Sequence, residues 1–134
     1  MKLTRASSYA LHAVTYLVTL KKEQPTASHI IAEKKGISER FLLKVLKPLV
    51  SARVLFSIKG PHGGYRLARP ANEISMLDVL EAVDGPIRGH APTGQDDPTN
   101  PLNRRLEQIC SQSAEAVRKQ LGKIKLSELS GKDG

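Results

Sequence analysis

Gly60-Pro61-His62-Gly63-Gly64-Tyr65-Arg66-Leu67-Ala68-Arg69-Pro70 follows an apolar, β-favouring run, Val54-Leu55-Phe56-Ser57-Ile58. After the glycines, Tyr65 and Leu67 alternate with Arg66, which predicts two short strands joined by a Gly-rich tip. A hairpin is not stable alone, so this one must lie against helices. Gly63 and Gly64 let the backbone come close to a surface. Lys59 and His62 stand on one side of the tip and Arg66 on the other.

Two helical patterns precede the hairpin. Thr26 or Ser28 is placed to cap a helix that carries Ile30 and Ile31, with Ala27 and Ala32, and stops at Gly36. Ser38 is placed to cap the next helix, with Glu39 in its first turn. Phe41, Leu42, Val45, Leu46, Leu49 and Val50 form its expected buried face, and Arg40, Lys44 and Lys47 the opposite one. Pro48 is expected to kink this helix or to end its regular geometry a turn early. Two amphipathic helices, a Gly in the turn and a basic second helix suit a helix-turn-helix. Followed by a basic hairpin, they predict a mainly α winged helix, a fold that commonly holds DNA.

The rest of the chain frames this unit. Residues 4–20 carry Ala6, Ala10, Ala13, Val14, Leu17 and Leu20 at helical spacing. Ser75 with Asp78 is a near capping box for a short helix stopped by Gly85 and Pro86. Residues 86–100 have no apolar period and read as a loop of functional length. Asn100-Pro101 opens a long helix with Leu102, Leu106, Ile109, Val117, Leu121 and Ile124 along one face. So long a stripe is expected to pack on a second copy of the chain and on the first helix. Leu126 and Leu129 are expected to close a short C-terminal turn or helix. The expected division is 1–85 for DNA binding, 86–100 as a loop, and 101–134 for dimerisation and tail.

Charge sharpens the reading. The chain has 134 residues and a net charge of +8. Residues 1–69 hold 13 Lys/Arg against 3 Asp/Glu, and residues 70–134 hold 8 against 10. The basic half therefore ends in the hairpin, as a phosphate-binding face requires. Few aromatics and no Trp disfavour single-strand stacking. No set of residues has catalytic spacing, and no phosphate-binding Gly loop is present, so an enzyme is not expected. One cysteine, Cys110, excludes an internal disulfide and fits a cytoplasmic protein. The opening residues lack the apolar core of a signal peptide, and no stretch is apolar enough to span a bilayer.

Met1-Lys2-Leu3-Thr4 with Tyr9-Ala10-Leu11, Gly36-Ile37-Ser38, Phe41-Leu42 and the stretch 60–69 resemble the Rrf-two family of bacterial winged-helix regulators. Ile74-Ser75-Met76-Leu77-Asp78-Val79-Leu80-Glu81-Ala82 and Asp84-Gly85-Pro86 match the helix after its wing. The resemblance runs from residue 1 to about 88 and resumes in the long helix. It implies a homodimer with crossed long helices on a palindromic operator, and a sensor site in the loop before those helices. Cluster-binding members place three cysteines in that loop, whereas here residues 87–100 contain none.

The expected function is a DNA-binding regulator, a repressor in the first instance, whose partners are double-stranded DNA and a second copy. The runner-up is a protein-interaction adaptor regulated by a partner enzyme or metabolite. The DNA-binding set is Ser28, Ser38, Arg40, Lys44, Lys47, Lys59, His62, Gly63 and Arg66. Arg40, near its helix N-terminus, is best placed for base edges, while Lys44 and Lys47 suit phosphates. The usual iron–sulfur site is absent and no cofactor is expected. A lesser alternative joins His12 and Cys110 across the dimer as nitrogen and sulfur ligands.

Overall fold

The structure is a computed structural model that describes residues 1–21, 23–91 and 99–130. Helix α1 (Arg5–Leu20) starts at Thr4, whose hydroxyl accepts from the Ser7 N–H, and ends at Lys21 in the left-handed region. Its face of Ala10, Ala13, Val14 and Leu17 is buried. Helix α2 (Ser28–Lys35) stops at Gly36, also left-handed, and α3 (Glu39–Ser51) begins at Ser38, whose hydroxyl accepts from Phe41 N–H. Strands β1 (Leu55–Ile58) and β2 (Gly64–Leu67) form the hairpin, with Leu55 opposite Leu67 and Phe56 opposite Arg66. A 3-10 turn (Ala71–Glu73) leads to α4 (Met76–Asp84), which has a full capping box between Ser75 and Asp78. The long helix α5 (Pro101–Gly122) starts at Asn100, and α6 (Leu126–Leu129) ends the described chain.

One core holds these pieces together. Ile31, Leu42, Leu46, Leu49, Val54, Leu55, Ile74 and Val79 surround the inner face of α1. Each such side chain contributes about 1.5–3 kcal/mol on leaving water. Asp84, at the end of α4, accepts from the Ser7 hydroxyl at 2.6 Å and from the Thr4 hydroxyl at 2.9 Å. Fully buried Ser7 is thereby satisfied, and the start of α1 is clasped to the end of α4.

Four local expectations are corrected. Neither Thr26 nor Ser28 caps α2: Ala27 holds the cap position without a side-chain bond. Thr26 is committed elsewhere, in a backbone bridge to Tyr65. Phe41 is not inside the core but at its margin, edge-on to Tyr9 with ring centres 5.3 Å apart. Pro48 does not end α3, which runs on to Ser51. The bond Pro48 removes belongs to the carbonyl of Lys44, an exposed residue, so water can satisfy it.

The fourth correction concerns the long stripe. Helix α5 packs on α4, and it is α6 that packs on α1. Leu121 is only 7% exposed and fully buried Leu126 joins the core. The backbone supports the turn: Met76 N–H donates to Ile124 O at 2.7 Å, and Leu126 N–H to Ile74 O at 2.9 Å. Leu121 therefore packs within its own chain, whereas half-buried Ile124 is tied to α4 only through its backbone carbonyl. Among the described residues, no helix is long and apolar enough to cross a membrane.

Candidate nucleic-acid interface

The basic stripe of α3 is built by helix period. Arg40, Lys44 and Lys47, spaced four and three residues apart, are all exposed, while Leu42, Val45, Leu46 and Leu49 on the other side are buried. Arg40 is the second residue of the helix. Leu43 lies among these cations and is exposed. Ser28 stands at the start of α2 and donates its hydroxyl to Glu39 Oε2 at 2.7 Å. The starts of α2 and α3 are thus tied together beside Ser38, a link that neither helix pattern announces.

The wing tip is a tight turn in which Gly63 N–H donates to Gly60 O at 3.0 Å. Lys59 and His62 are exposed there. A Cβ at Gly63 would meet the Ile58 carbonyl, so this position serves the shape of the tip. Arg66 sits further back: it is half-buried, with its guanidinium carbon 5.5 Å from the centre of the Phe56 ring.

The wing is also bonded to the segment before α2. Thr26 and Tyr65 exchange two backbone hydrogen bonds, each 2.9 Å. Gly64 begins β2 at φ +147, and a Cβ there would run into the backbone of Thr26 and Ala27. Glycine is needed here twice over, for its conformation and for the close approach.

The loop after α4 is strapped to the helices. Ile87 N–H donates to Glu81 Oε2 at 2.8 Å, and Arg118 Nε to the same oxygen at 3.0 Å. The Arg118 hydrogen bond holds the Glu81 carboxyl below its ordinary range, and Glu81 in turn raises the Arg118 guanidinium. Further along, Ala91 N–H donates to Glu107 Oε2 at 3.0 Å, which lowers the Glu107 carboxyl. His90 Nδ1 lies 3.5 Å from Glu107 Oε1. A Cβ at Gly89 would collide with the backbone of Cys110 and Ser111, so the loop touches α5 at bare backbone. Asp96 and Asp97 of this loop lie outside the described residues.

On α5, Leu102 is 63% exposed, Ile109 42% and Leu106 38%, while Val117 is half-buried. His12 is exposed and lines a groove on α1 with Leu3, Leu11, Thr15, Met76 and Leu129. Cys110 is half-buried beneath Gly89. The two alternative ligands therefore belong to different surfaces of one chain.

A family model described as Rrf2, iron-dependent transcriptional regulator, matches residues 3–132. That description implies iron, and the donor set does not fit a cysteine-ligated cluster: Cys110 is the one thiol of the chain. Among the described residues of one chain, no three His, Cys, Asp or Glu side chains come together to hold a metal.

The chain is 35% identical over 97 residues to a Mycobacterium tuberculosis protein whose name assigns it as an HTH-type transcriptional regulator. That match covers 72% of this chain and 60% of the relative, so the chain spans under two thirds of the relative's length. It is 31% identical over 137 residues to the protein rrf2 of Nitratidesulfovibrio vulgaris, covering 96% of this chain and 87% of that one. Among solved structures, CymR, the global cysteine regulator of Bacillus subtilis, superposes with a TM-score of 0.78 at 25% identity, over 97% of this chain and 96% of that one. The Mycobacterium tuberculosis and Bacillus subtilis proteins are named as regulators, and none of the three is named as an enzyme. The chain belongs to the Rrf2 family of transcriptional regulators.

Proposed function

We propose that this protein is a DNA-binding transcriptional repressor that grips a palindromic operator as a homodimer in the cytoplasm. One observation carries the reading: an exposed stripe of Arg40, Lys44 and Lys47 on the second helix of a helix-turn-helix, followed directly by a hairpin with Lys59 and His62 at its tip. Arg40 reads base edges in the major groove, and Lys44 and Lys47 hold phosphates. Ser28 and Ser38, at the two helix starts, approach the backbone. Lys59 enters the minor groove, with His62 beside it and Gly63 shaping the turn. Arg66, half-buried over Phe56, supports the wing from behind rather than at its tip.

Residues 1–85 bind DNA, and Leu102, Leu106 and Ile109 on α5 pair with a second copy, with Val117 at the margin of that contact. Residues 86–100 carry the response to a metabolite or partner protein. A cysteine cluster does not serve that response here. The test is selection of bound sequences from random duplex DNA. An inverted repeat with half-sites one or more helical turns apart is expected; unenriched sequence would contradict the proposal.

A further inference from the structure

The exposed side of α3 is not wholly cationic. Arg40, Leu43, Lys44 and Lys47 recur at helical steps, so their side chains share one side of the helix. Leu43 is 42% exposed. It belongs neither to the core nor to the half-buried side chains packed against that core. Phe41, the other exposed apolar residue of α3, is used inside the chain, edge-on to Tyr9.

The neighbours of Leu43 decide what can cover it. Arg40, Lys44 and Lys47 border it, and Glu39, the one acid of α3, is engaged by the Ser28 hydroxyl. The surface they form is complementary to phosphate. Leu43 has no donor or acceptor to offer a phosphate or a polar base edge. Pressed against either, it would strip water and give nothing back. The major groove presents one apolar group, the C5-methyl of thymine.

We infer that Leu43 determines sequence specificity by packing on a thymine C5-methyl in each half-site, beside the base that Arg40 reads. Three residues along a helix advance about 4.5 Å. That is little more than one base-pair step of about 3.4 Å. The thymine, on either strand, therefore stands within about two base pairs of the Arg40 position. Arg40 supplies hydrogen bonds, Leu43 supplies shape, and Lys44 and Lys47 supply charge. The inference rests on the DNA-binding reading and names a base which that reading leaves open.

The test is a thymine-to-deoxyuridine scan of the selected inverted repeat. Each change removes one methyl and keeps every hydrogen-bonding group. Affinity of the full chain is read by fluorescence anisotropy at fixed salt. Deoxyuridine at the contacted thymine should weaken binding about fourfold, the size of one methyl leaving water. Changing both half-sites should weaken it about fifteenfold. Leu43→Ala should fold like the parent, since the position is exposed and alanine favours helix. It should bind the thymine operator more weakly and bind thymine and deoxyuridine duplexes alike. Leu43→Met should keep the parent's preference. A side chain that only supported the helix would weaken both duplexes equally and leave their ratio in place.

Three results overturn the inference alone, with salt-dependent operator binding intact. The parent ignores every deoxyuridine, the selected half-site has no thymine near the Arg40 position, or Leu43→Ala keeps the parent's ratio. A parent that selects no duplex DNA overturns the DNA-binding reading, and this inference with it.

Discussion

Thr26 and Tyr65 trade two backbone hydrogen bonds of 2.9 Å, so the segment entering α2 acts as a third, one-residue strand on the wing. The contact is possible because Gly64, next to Tyr65, has no side chain to strike the Thr26 carbonyl. Gly64→Ala should therefore destabilise the protein on the order of 1–3 kcal/mol and weaken operator binding. Urea unfolding checks the first effect and fluorescence anisotropy the second. An unchanged midpoint would show that the wing accommodates the methyl group.

The α3 stripe separates two kinds of contact. Arg40→Ala should cost roughly 1–3 kcal/mol on the chosen operator and relax discrimination among related sequences. Lys44→Ala and Lys47→Ala should weaken all sequences alike and flatten the salt dependence by about one unit per lost phosphate contact. Affinities of the three variants for the operator and for two mutated operators decide it. Uniform losses across all three would mean that Arg40 touches backbone only.

Helix α5 serves two surfaces at once. Leu106 and Ile109 are exposed in one chain, whereas Leu121 is packed inside it. The pair Leu106→Asp and Ile109→Asp should give a folded monomer with weak operator affinity. Leu121→Asp should instead lower stability by roughly 3 kcal/mol or more, since it buries a carboxylate without a partner. Sedimentation velocity and circular dichroism distinguish the two fates. A dimeric Leu106/Ile109 variant would remove α5 from the dimer contact.

The Glu81–Arg118 pair predicts an acid limit. Glu81 is held below its ordinary value of 4.5 in the folded chain, first by the Arg118 hydrogen bond. Its stabilisation is therefore complete above that value and is lost as pH falls through the depressed folded one. Glu81→Gln should cost on the order of 1 kcal/mol at neutral pH, discounted for partial solvent exposure. The gap between parent and variant should close as pH drops below 4.5. A gap constant from pH 7 to pH 3 would rule out the charge as its source.

Much of this architecture is legible from local pattern. Ser38, Gly36, Asn100 and the Ser75–Asp78 box mark helix ends, since capping acts within three residues of itself. The hairpin and the exposed position of Arg40, Lys44 and Lys47 follow from periods of two and of about 3.6. What the pattern missed is long-range. Thr26 looks like a cap, but its backbone pairs with a residue 39 positions on. Leu121 shares a stripe with Leu106, yet the fold-back of Leu126 onto the core draws it to the other partner. Gly89 gives no local sign that it meets α5 at Cys110. A cleft beside Thr26 joins two stretches distant in sequence, 17–26 and 65–71, and has no motif of its own.

The central claim is that α3 and the wing grip duplex DNA, and salt tests it most directly. Anisotropy of a labelled duplex carrying the selected inverted repeat should be followed from low to high potassium chloride. Lys44 and Lys47 from both copies predict that log K falls with log salt at a slope of about −3 or steeper, and that a scrambled duplex binds far more weakly. Binding that is absent, or equal for both duplexes and indifferent to salt, would contradict the account and favour a protein-binding adaptor on the same fold.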